Sequence, residues 1–218
     1  MTRAAPAFAS VVLDVDSTLS GIEGIDWLAA RRGADVARRI AEATDAAMRG
    51  DLPLETVYGS RLAAVRPGAA DVAALAEAYI GAIAPGAAAA VQAMQGAGVR
   101  VVLVSGGLKQ AIVPLAQHIG VADPDVHAVA LRFDPLGGYA GFDLWSPLTT
   151  SDGKRDAVVA AHLAAPVLAV GDGRTDAAMQ PVVAAFAAYT GFVRRDSVVA
   201  VADAVVTSFD DIAKLVLG

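Results

Sequence analysis

The sequence predicts an α/β protein: a parallel sheet with helices on both faces, plus an inserted helical subdomain and a small β-hairpin. Three observations carry this. Short β-rich runs alternate with helical ones along the 218 residues, as they do when helical crossovers join parallel strands. Three of those runs end in a polar residue beside a glycine or a second acid. One connection, residues 20 to 84, is far longer than the dozen or so residues of an ordinary crossover.

Taken in order, the strand runs are VVLDV (11–15), VRVVLVS (99–105), VLAVGD (167–172), AAFAAY (184–189) and DAVVT (203–207). The first ends in Asp14 and Asp16, the second in Ser105 before Gly106, and the third in Gly171 and Asp172. In open α/β sheets ligands bind beyond the carboxyl ends of the strands, where the topology switches. Chemistry is therefore expected at those three ends. The long connection reads as an all-helical insert, with GIDWLAARRGADVARRIAEATDAAMRG and DVAALAEAYIGAI as its helical patterns and breaks at Pro53, Pro67, Gly68 and Pro85. ALRFDPLGGYAGFDLWSP (130–147) reads as a hairpin turning near Gly137 and Gly138. There is no internal repeat.

Composition narrows the class. Hydrophobic residues make up 56% but aromatics only 6%, so small side chains build the core. No stretch reaches the roughly 18 uninterrupted apolar residues of a spanning helix. MTRAAPAFAS runs straight into VVLDVDST with no separate apolar region and cleavage site, so a cytoplasmic location is expected. Zero cysteines exclude disulfides, thiolate metal sites and a cysteine nucleophile. A formal charge of −6 with scattered Lys and Arg argues against nucleic acid and anionic membranes as partners. His118, His127 and His162 are read as helix or strand residues without catalytic roles, and Trp27 and Trp145 as core or cap packing.

Asp14 and Asp16 stand at i and i+2 of a strand and so point into one crevice, where two carboxylates repel unless a cation or a shared proton intervenes. Magnesium suits such oxygen donors, whereas three scattered histidines and no cysteine make zinc a poor match. The alternative is that Asp14 caps a turn and Asp16 the next helix. VSGG (104–107) offers the Ser105 hydroxyl and the Gly106 and Gly107 amides in a strand-to-helix turn suited to phosphate oxygens. SDGKRDAV (151–158) sets Lys154 at a helix start, against the helix dipole, which an anion explains better than helix stability. GDGRTD (171–176) supplies Asp172 and Asp176 but lacks the third glycine and downstream acid of a dinucleotide fingerprint.

The ordered set Asp14, Asp16 and Thr18 (DVDST), Ser105, Lys154 and Gly-Asp-Gly-x-Thr-Asp (171–176) resembles the four motifs of the haloacid dehalogenase-like phosphohydrolases. DVDSTLSGIE and the long helical insert are most similar to the phosphoserine phosphatase branch. The resemblance runs from about residue 10 to the C-terminal helix. It implies a Rossmann-like catalytic core over residues 1–19 and 85–218, and a helical cap over 20–84 that selects the substrate. It implies that Asp14 is the nucleophile, forming an aspartyl-phosphate, and that Asp16 protonates the leaving oxygen and then activates water. Ser105 and Lys154 would hold phosphoryl oxygens. Mg²⁺ would sit on the Asp14 and Asp172 carboxylates and the Asp16 carbonyl, supported by Asp176.

The same resemblance sets Glu23 against a substrate ammonium and Arg61, seven residues beyond Leu54, against a carboxylate. Thr175, Gly106 and Gly107 complete the substrate contacts. The expected activity is thus magnesium-dependent hydrolysis of O-phospho-L-serine by a monomer or homodimer, in serine biosynthesis. The alternatives are hydrolysis or transfer of another small phosphate monoester, or a phospho-aspartate receiver or phosphate-binding module. Two departures stand out: Leu54 where the family often has phenylalanine, and Arg174 at a usually small position. No counterpart of the N-terminal regulatory region of some members is present, so control by a distant domain is not expected.

Overall fold

The computed structural model describes residues 5–218. Six parallel strands form one sheet in the order β3-β2-β1-β6-β7-β8. They are β1 (Ser10–Leu13), β2 (Arg100–Leu108), β3 (Val126–Val129), β6 (Val167–Gly171), β7 (Ala185–Tyr189) and β8 (Ala204–Val206). Every residue of β1 and β6 is buried, on both faces of the pleat, which requires helices on both sides. That explains why these strands read as unbroken apolar runs instead of alternating. β1 pairs in register with β2 from Ser10 against Arg100 and with β6 from Ser10 against Val167. The chain winds from β1 towards β3 on one side and resumes at β6 on the other, so the switch point lies between the ends of β1 and β6.

Four helices occupy the long connection: α1 (Gly24–Ala30), α2 (Ala34–Arg49), α3 (Leu54–Val65) and α4 (Ala69–Gly81). The sequence breaks fall where expected, with Pro53 and Gly68 as the residues preceding α3 and α4. A further break separates α1 from α2 at Gly33, whose φ of 106° suits glycine. The two strands of chain that join these helices to the sheet are bonded together: Ala84 N–H donates to Leu19 O, Gly21 N–H to Ala82 O, and the Ser20 hydroxyl to the Tyr79 and Ala82 carbonyls. The chain then forms α5 (Ala87–Gly96) before β2 and α6 (Lys109–His118) after it.

The hairpin is present as β4 (Leu131–Phe133) and β5 (Tyr139–Phe142), with Gly137 at positive φ and Asp134 N–H bonded to Gly138 O. α7 (Gly153–Ala160), α8 (Arg174–Ala177), α9 (Asp196–Val199) and α10 (Phe209–Leu217) complete the fold. No helix among the described residues is long and apolar enough to cross a membrane.

Three readings need correction. The edge strand β3 has no counterpart among the sequence runs, because VHAV carries a histidine and only its first and last residues are buried. Ser105, Gly106 and Gly107 do not form a turn: they lie in the extended end of β2, where its pairing with β3 shifts register between Val104 and Leu108. A side chain at Gly107 would crowd Asp16 Oδ2, Ile112 and Ser105 Oγ at 2.9–3.0 Å, so the glycine is required by close approach and not by a turn. Trp145 is not packed in core or cap; it is 93% exposed beyond β5, while Trp27 is half-buried beneath the Arg31 guanidinium.

Candidate active site

The strand ends deliver their side chains to one place. Asp14 follows β1 and is fixed by its N–H to Val170 O, across the switch point. Asp172 follows β6, and Ser105 lies in β2. Lys154 enters from the first turn of α7 and is buried. Its approach depends on Gly153, where any Cβ would collide with the Pro147 carbonyl. The Lys154 Nζ donates to Asp14 Oδ1 at 2.5 Å and to Asp176 Oδ1 at 2.7 Å. Asp176 Oδ2 accepts the Gly173 N–H at 2.9 Å, so both its oxygens are engaged. Gly171 lacks the Cβ that would strike Asp176.

Asp14, Asp172 and Asp176 offer carboxylate oxygens within 4.8 Å of one another. Asp172 Oδ1 accepts from Thr18 Oγ1 at 3.3 Å, and Oδ2 accepts from Arg195 Nη1. Around the cavity six carboxylates (Asp14, Asp16, Glu23, Asp26, Asp172 and Asp176) face three cations (Lys154, Arg61 and Arg195). A negative excess of hard oxygen donors fits a divalent cation of the magnesium class and would repel a phosphate without one. Asp16 turns its carboxylate elsewhere. Its Oδ1 accepts the Tyr79 hydroxyl at 2.6 Å and the Gly24 N–H at 2.7 Å, and Ser105 Oγ stands 3.5 Å from Oδ2. Asp16 thus bonds the first residue of α1 while still lining the cavity, but the N-cap of α1 is Glu23 and not, as the capping alternative had it, Asp16.

The helical insert closes the other side. Leu54, Tyr58 and Arg61 on α3, Thr44 and Met48 on α2, and Glu23 before α1 line the cavity with Gly106, Gly107, Lys154 and Thr175. The cavity they line is small, about 50 Å³. Arg61 is buried; its Nη2 donates to Thr44 Oγ1 at 2.5 Å and Asp26 Oδ1 at 3.2 Å, and Thr44 Oγ1 donates to Asp26 Oδ1 at 2.6 Å. The buried Arg61 Nε has no partner among the described residues. Glu23 Oε1 accepts the Ser17 hydroxyl at 2.8 Å. The Tyr58 hydroxyl donates to Gly106 O at 2.7 Å, and Ser151 Oγ takes the Leu54 N–H while donating to Glu55. Insert and sheet ends are therefore in direct contact.

Crowding shifts the ionisations. Burial first, then the Asp176 carboxylate, pushes Asp14 well above the usual carboxylate range against the pull of Lys154. Burial also raises Asp16, against the bonds from Tyr79 and Gly24. Glu23 is pushed up to about 7 by burial and by Asp16. Burial works to lower Lys154, but Asp14 and Asp176 outweigh it and hold the ammonium above its ordinary value.

Every residue given a site role from the sequence falls in or against this cavity, whereas Arg174 is exposed and runs its stem past Gly50 at the end of α2. Sequence reasoning missed Arg195, Tyr79, Asp26 and Thr44. Arg195 lies beyond the carboxyl end of β7 and was findable by the same strand-end rule. The others belong to helices with no local motif, and only the packing of the insert brings them in.

A family model of haloacid dehalogenase-like hydrolases matches residues 11–181. Bos taurus phosphoserine phosphatase is 34% identical over 204 residues, covering 92% of this chain and 89% of the relative. The chloroplastic phosphoserine phosphatase of Arabidopsis thaliana is 33% identical over 208 residues, covering 93% and 70%. In three dimensions, a phosphoserine phosphohydrolase-like protein from Francisella tularensis superposes with a TM-score of 0.87 at 22% identity, covering 94% of this chain and 98% of that one. A strand-end carboxylate cluster, a buried lysine, a helical insert and these likenesses over nearly the full length lead to one assignment. The chain belongs to the haloacid dehalogenase-like hydrolases, in their phosphoserine phosphatase branch, and is a phosphoric monoester hydrolase.

Proposed function

We propose that the chain is a magnesium-dependent phosphoserine phosphatase, with residues 20–84 acting as the cap that selects the substrate over a core of residues 1–19 and 85–218. The observation that supports this most is the pairing, in one cavity, of an acid and a buried arginine with the phosphoryl machinery. Glu23 matches the ammonium of phosphoserine, and Arg61 its carboxylate. Leu54 supplies apolar wall, and Thr175, Gly106 and Gly107 border the phosphoryl end.

In this reading Asp14 attacks phosphorus in line and the bond to the serine oxygen breaks, giving an aspartyl-phosphate. Asp16, whose carboxyl burial raises above its ordinary value, gives its proton to the departing oxygen. It then takes a proton from the water that attacks the same phosphorus, and phosphate leaves. Lys154 and Ser105 hold phosphoryl oxygens, and Lys154 also offsets the charge of Asp14. Asp14 and Asp172 carboxylates and the Asp16 carbonyl would hold Mg²⁺, which supplies Lewis-acid stabilisation of phosphoryl charge. Asp176 steadies Lys154, and Thr18 steadies Asp172.

The test is phosphate release from O-phospho-L-serine against a panel of sugar phosphates and other small monoesters, with Mg²⁺ and with chelator. Metal-dependent preference for phosphoserine is expected. A preference for sugar phosphates, or transfer to an acceptor other than water, would overturn the substrate or the reaction named here.

A further inference from the structure

We infer that Tyr79, from the end of α4 in the helical insert, is a positioning residue that aims the Asp16 carboxyl so that Oδ2 exchanges the proton with substrate and water. The inference rests on the role of Asp16 proposed above. Tyr79 is fully buried and does not line the cavity, so it touches no substrate. Its hydroxyl donates to Asp16 Oδ1 at 2.6 Å, and the Gly24 N–H donates to the same oxygen at 2.7 Å. With two short bonds converging on it, Oδ1 has no place for a proton unless a donor withdraws. The exchangeable proton is therefore confined to Oδ2, the oxygen beside Ser105 and Gly107 at the floor of the cavity.

The surroundings are built for this bond. Gly24 lines the cavity, and any Cβ there would collide with the Tyr79 hydroxyl, so the absence of a side chain opens the path from Tyr79 to Asp16. The Tyr79 carbonyl is held by Ser20 Oγ at 3.1 Å, on the segment that carries Asp16 out of the sheet. Tyr79 thus joins the two connections between insert and sheet and is fixed at both ends. Nothing in the sequence motif calls for a tyrosine here; the residue sits 63 positions from its partner.

The chemistry sharpens the claim. In the first step the Asp14 oxygen bonds phosphorus, the phosphorus–oxygen bond to serine breaks, and the proton on Asp16 Oδ2 moves to the serine oxygen. In the second, water oxygen bonds phosphorus, the Asp14–phosphorus bond breaks, and Oδ2 recovers a proton from that water. Tyr79 keeps its own proton throughout. Losing its hydroxyl frees the carboxyl to turn, and both transfers become poorly aligned.

Tyr79→Phe tests this. With O-phospho-L-serine, kcat is expected to fall by on the order of 10-fold while KM stays unchanged, the signature of a contact that matters only in the transition state. With p-nitrophenyl phosphate, whose nitrophenolate departs without a proton, the first turnover should keep its rate while later ones slow, giving a burst of about one nitrophenolate per site. A residue that only supports packing would instead slow both phases or raise KM, and that result would overturn the inference. A double-mutant cycle gives a second readout: in an Asp16→Asn background, Tyr79→Phe should cost nothing further in kcat, whereas an additive loss refutes positioning through Asp16. The single Asp16→Asn variant separates the two levels of argument. Full activity there defeats the proton-shuttle reading itself, while a slowed Asp16→Asn beside an unaffected Tyr79→Phe defeats the positioning role alone.

Discussion

The two ends of the cavity are built on different electrostatic plans. At the sheet end, the buried Lys154 is shared by two carboxylates, Asp176 spends both oxygens on fixed donors, and Asp172 is held by Thr18 and Arg195. At the insert end, among the described residues, Arg61 keeps a buried Nε without a partner, and Glu23, half-buried, bonds a single hydroxyl and is pushed up to about 7. The sheet end has its charges in place before any ligand arrives, as phosphoryl transfer by preorganised electrostatics needs. The insert end has donors and acceptors left over, which a ligand carrying both an ammonium and a carboxylate would complete.

The strongest way to break the sheet end is Asp14→Asn. Phosphate release in single turnover should fall by ~10⁴-fold or more, as when a covalent nucleophile is removed, with the fold retained by circular dichroism. Retained turnover would mean that Asp14 is not the nucleophile. Lys154→Met should act on the fold as well, because it strands Asp14 and Asp176 together; breaking a buried pair costs about 3–5 kcal/mol. Denaturant unfolding measures this, and a loss below ~1 kcal/mol would contradict the sharing of Lys154 described here.

Arg61→Ala addresses the insert end. Loss of a charged hydrogen-bonding partner, worth about 1.5–3 kcal/mol, predicts a KM for phosphoserine raised by ~10–150-fold. Monoesters without a carboxylate should be unaffected; an equal rise for both would remove Arg61 from substrate selection.

Glu23 offers a pH test with a defined sign. Its carboxyl titrates near 7 in the folded protein against an ordinary value near 4.5, so between those values the folded state holds a proton the unfolded chain has released. That residue's contribution therefore falls as pH rises through this window. Glu23→Gln should raise the melting temperature of the metal-free protein more at pH 8 than at pH 5, and an equal effect at both would deny the shift. The smallest change expected is for Ser151→Ala, which unties Leu54 and Glu55 from the loop before Lys154 and so tests the contact between the two ends. A stability loss of about 1 kcal/mol and a KM raised only a few-fold are expected from unfolding curves and steady-state rates.

Much of this contrast was legible in the chain, but unevenly. The sheet end could be read because each of its groups lies within a few residues of a strand end or in the first turn of a helix: Asp14 after VVL, Asp172 after VLAVG, Lys154 behind Gly153. A strand end marks a position in space as well as in sequence. The insert end was legible only where a residue stood at a spacing already associated with a role, as Glu23 and Arg61 do. Asp26, Thr44 and Tyr79 have no such mark. Each looks like an ordinary polar helix residue until α1, α2 and α4 are packed together, after which one orients Arg61, one links it to Asp26, and one holds Asp16.

The errors have the same origin. Serine followed by two glycines is compatible with a turn, but crowding by Asp16 and Ile112 explains the glycine at 107 equally well, and only the packed chain separates the two. Trp145 looks like core by composition, yet it lies past the hairpin, where no layer covers it.

The sequence by itself determined the class of fold, five of the six strands of its sheet and the acids at the ends of β1 and β6, because periodicity and chain punctuation are local properties. The tertiary structure decided which side chains from distant helices meet those ends, how Asp16 is turned and which charges remain unmatched. Those depend on contacts between residues tens of positions apart, for which local pattern carries no signal.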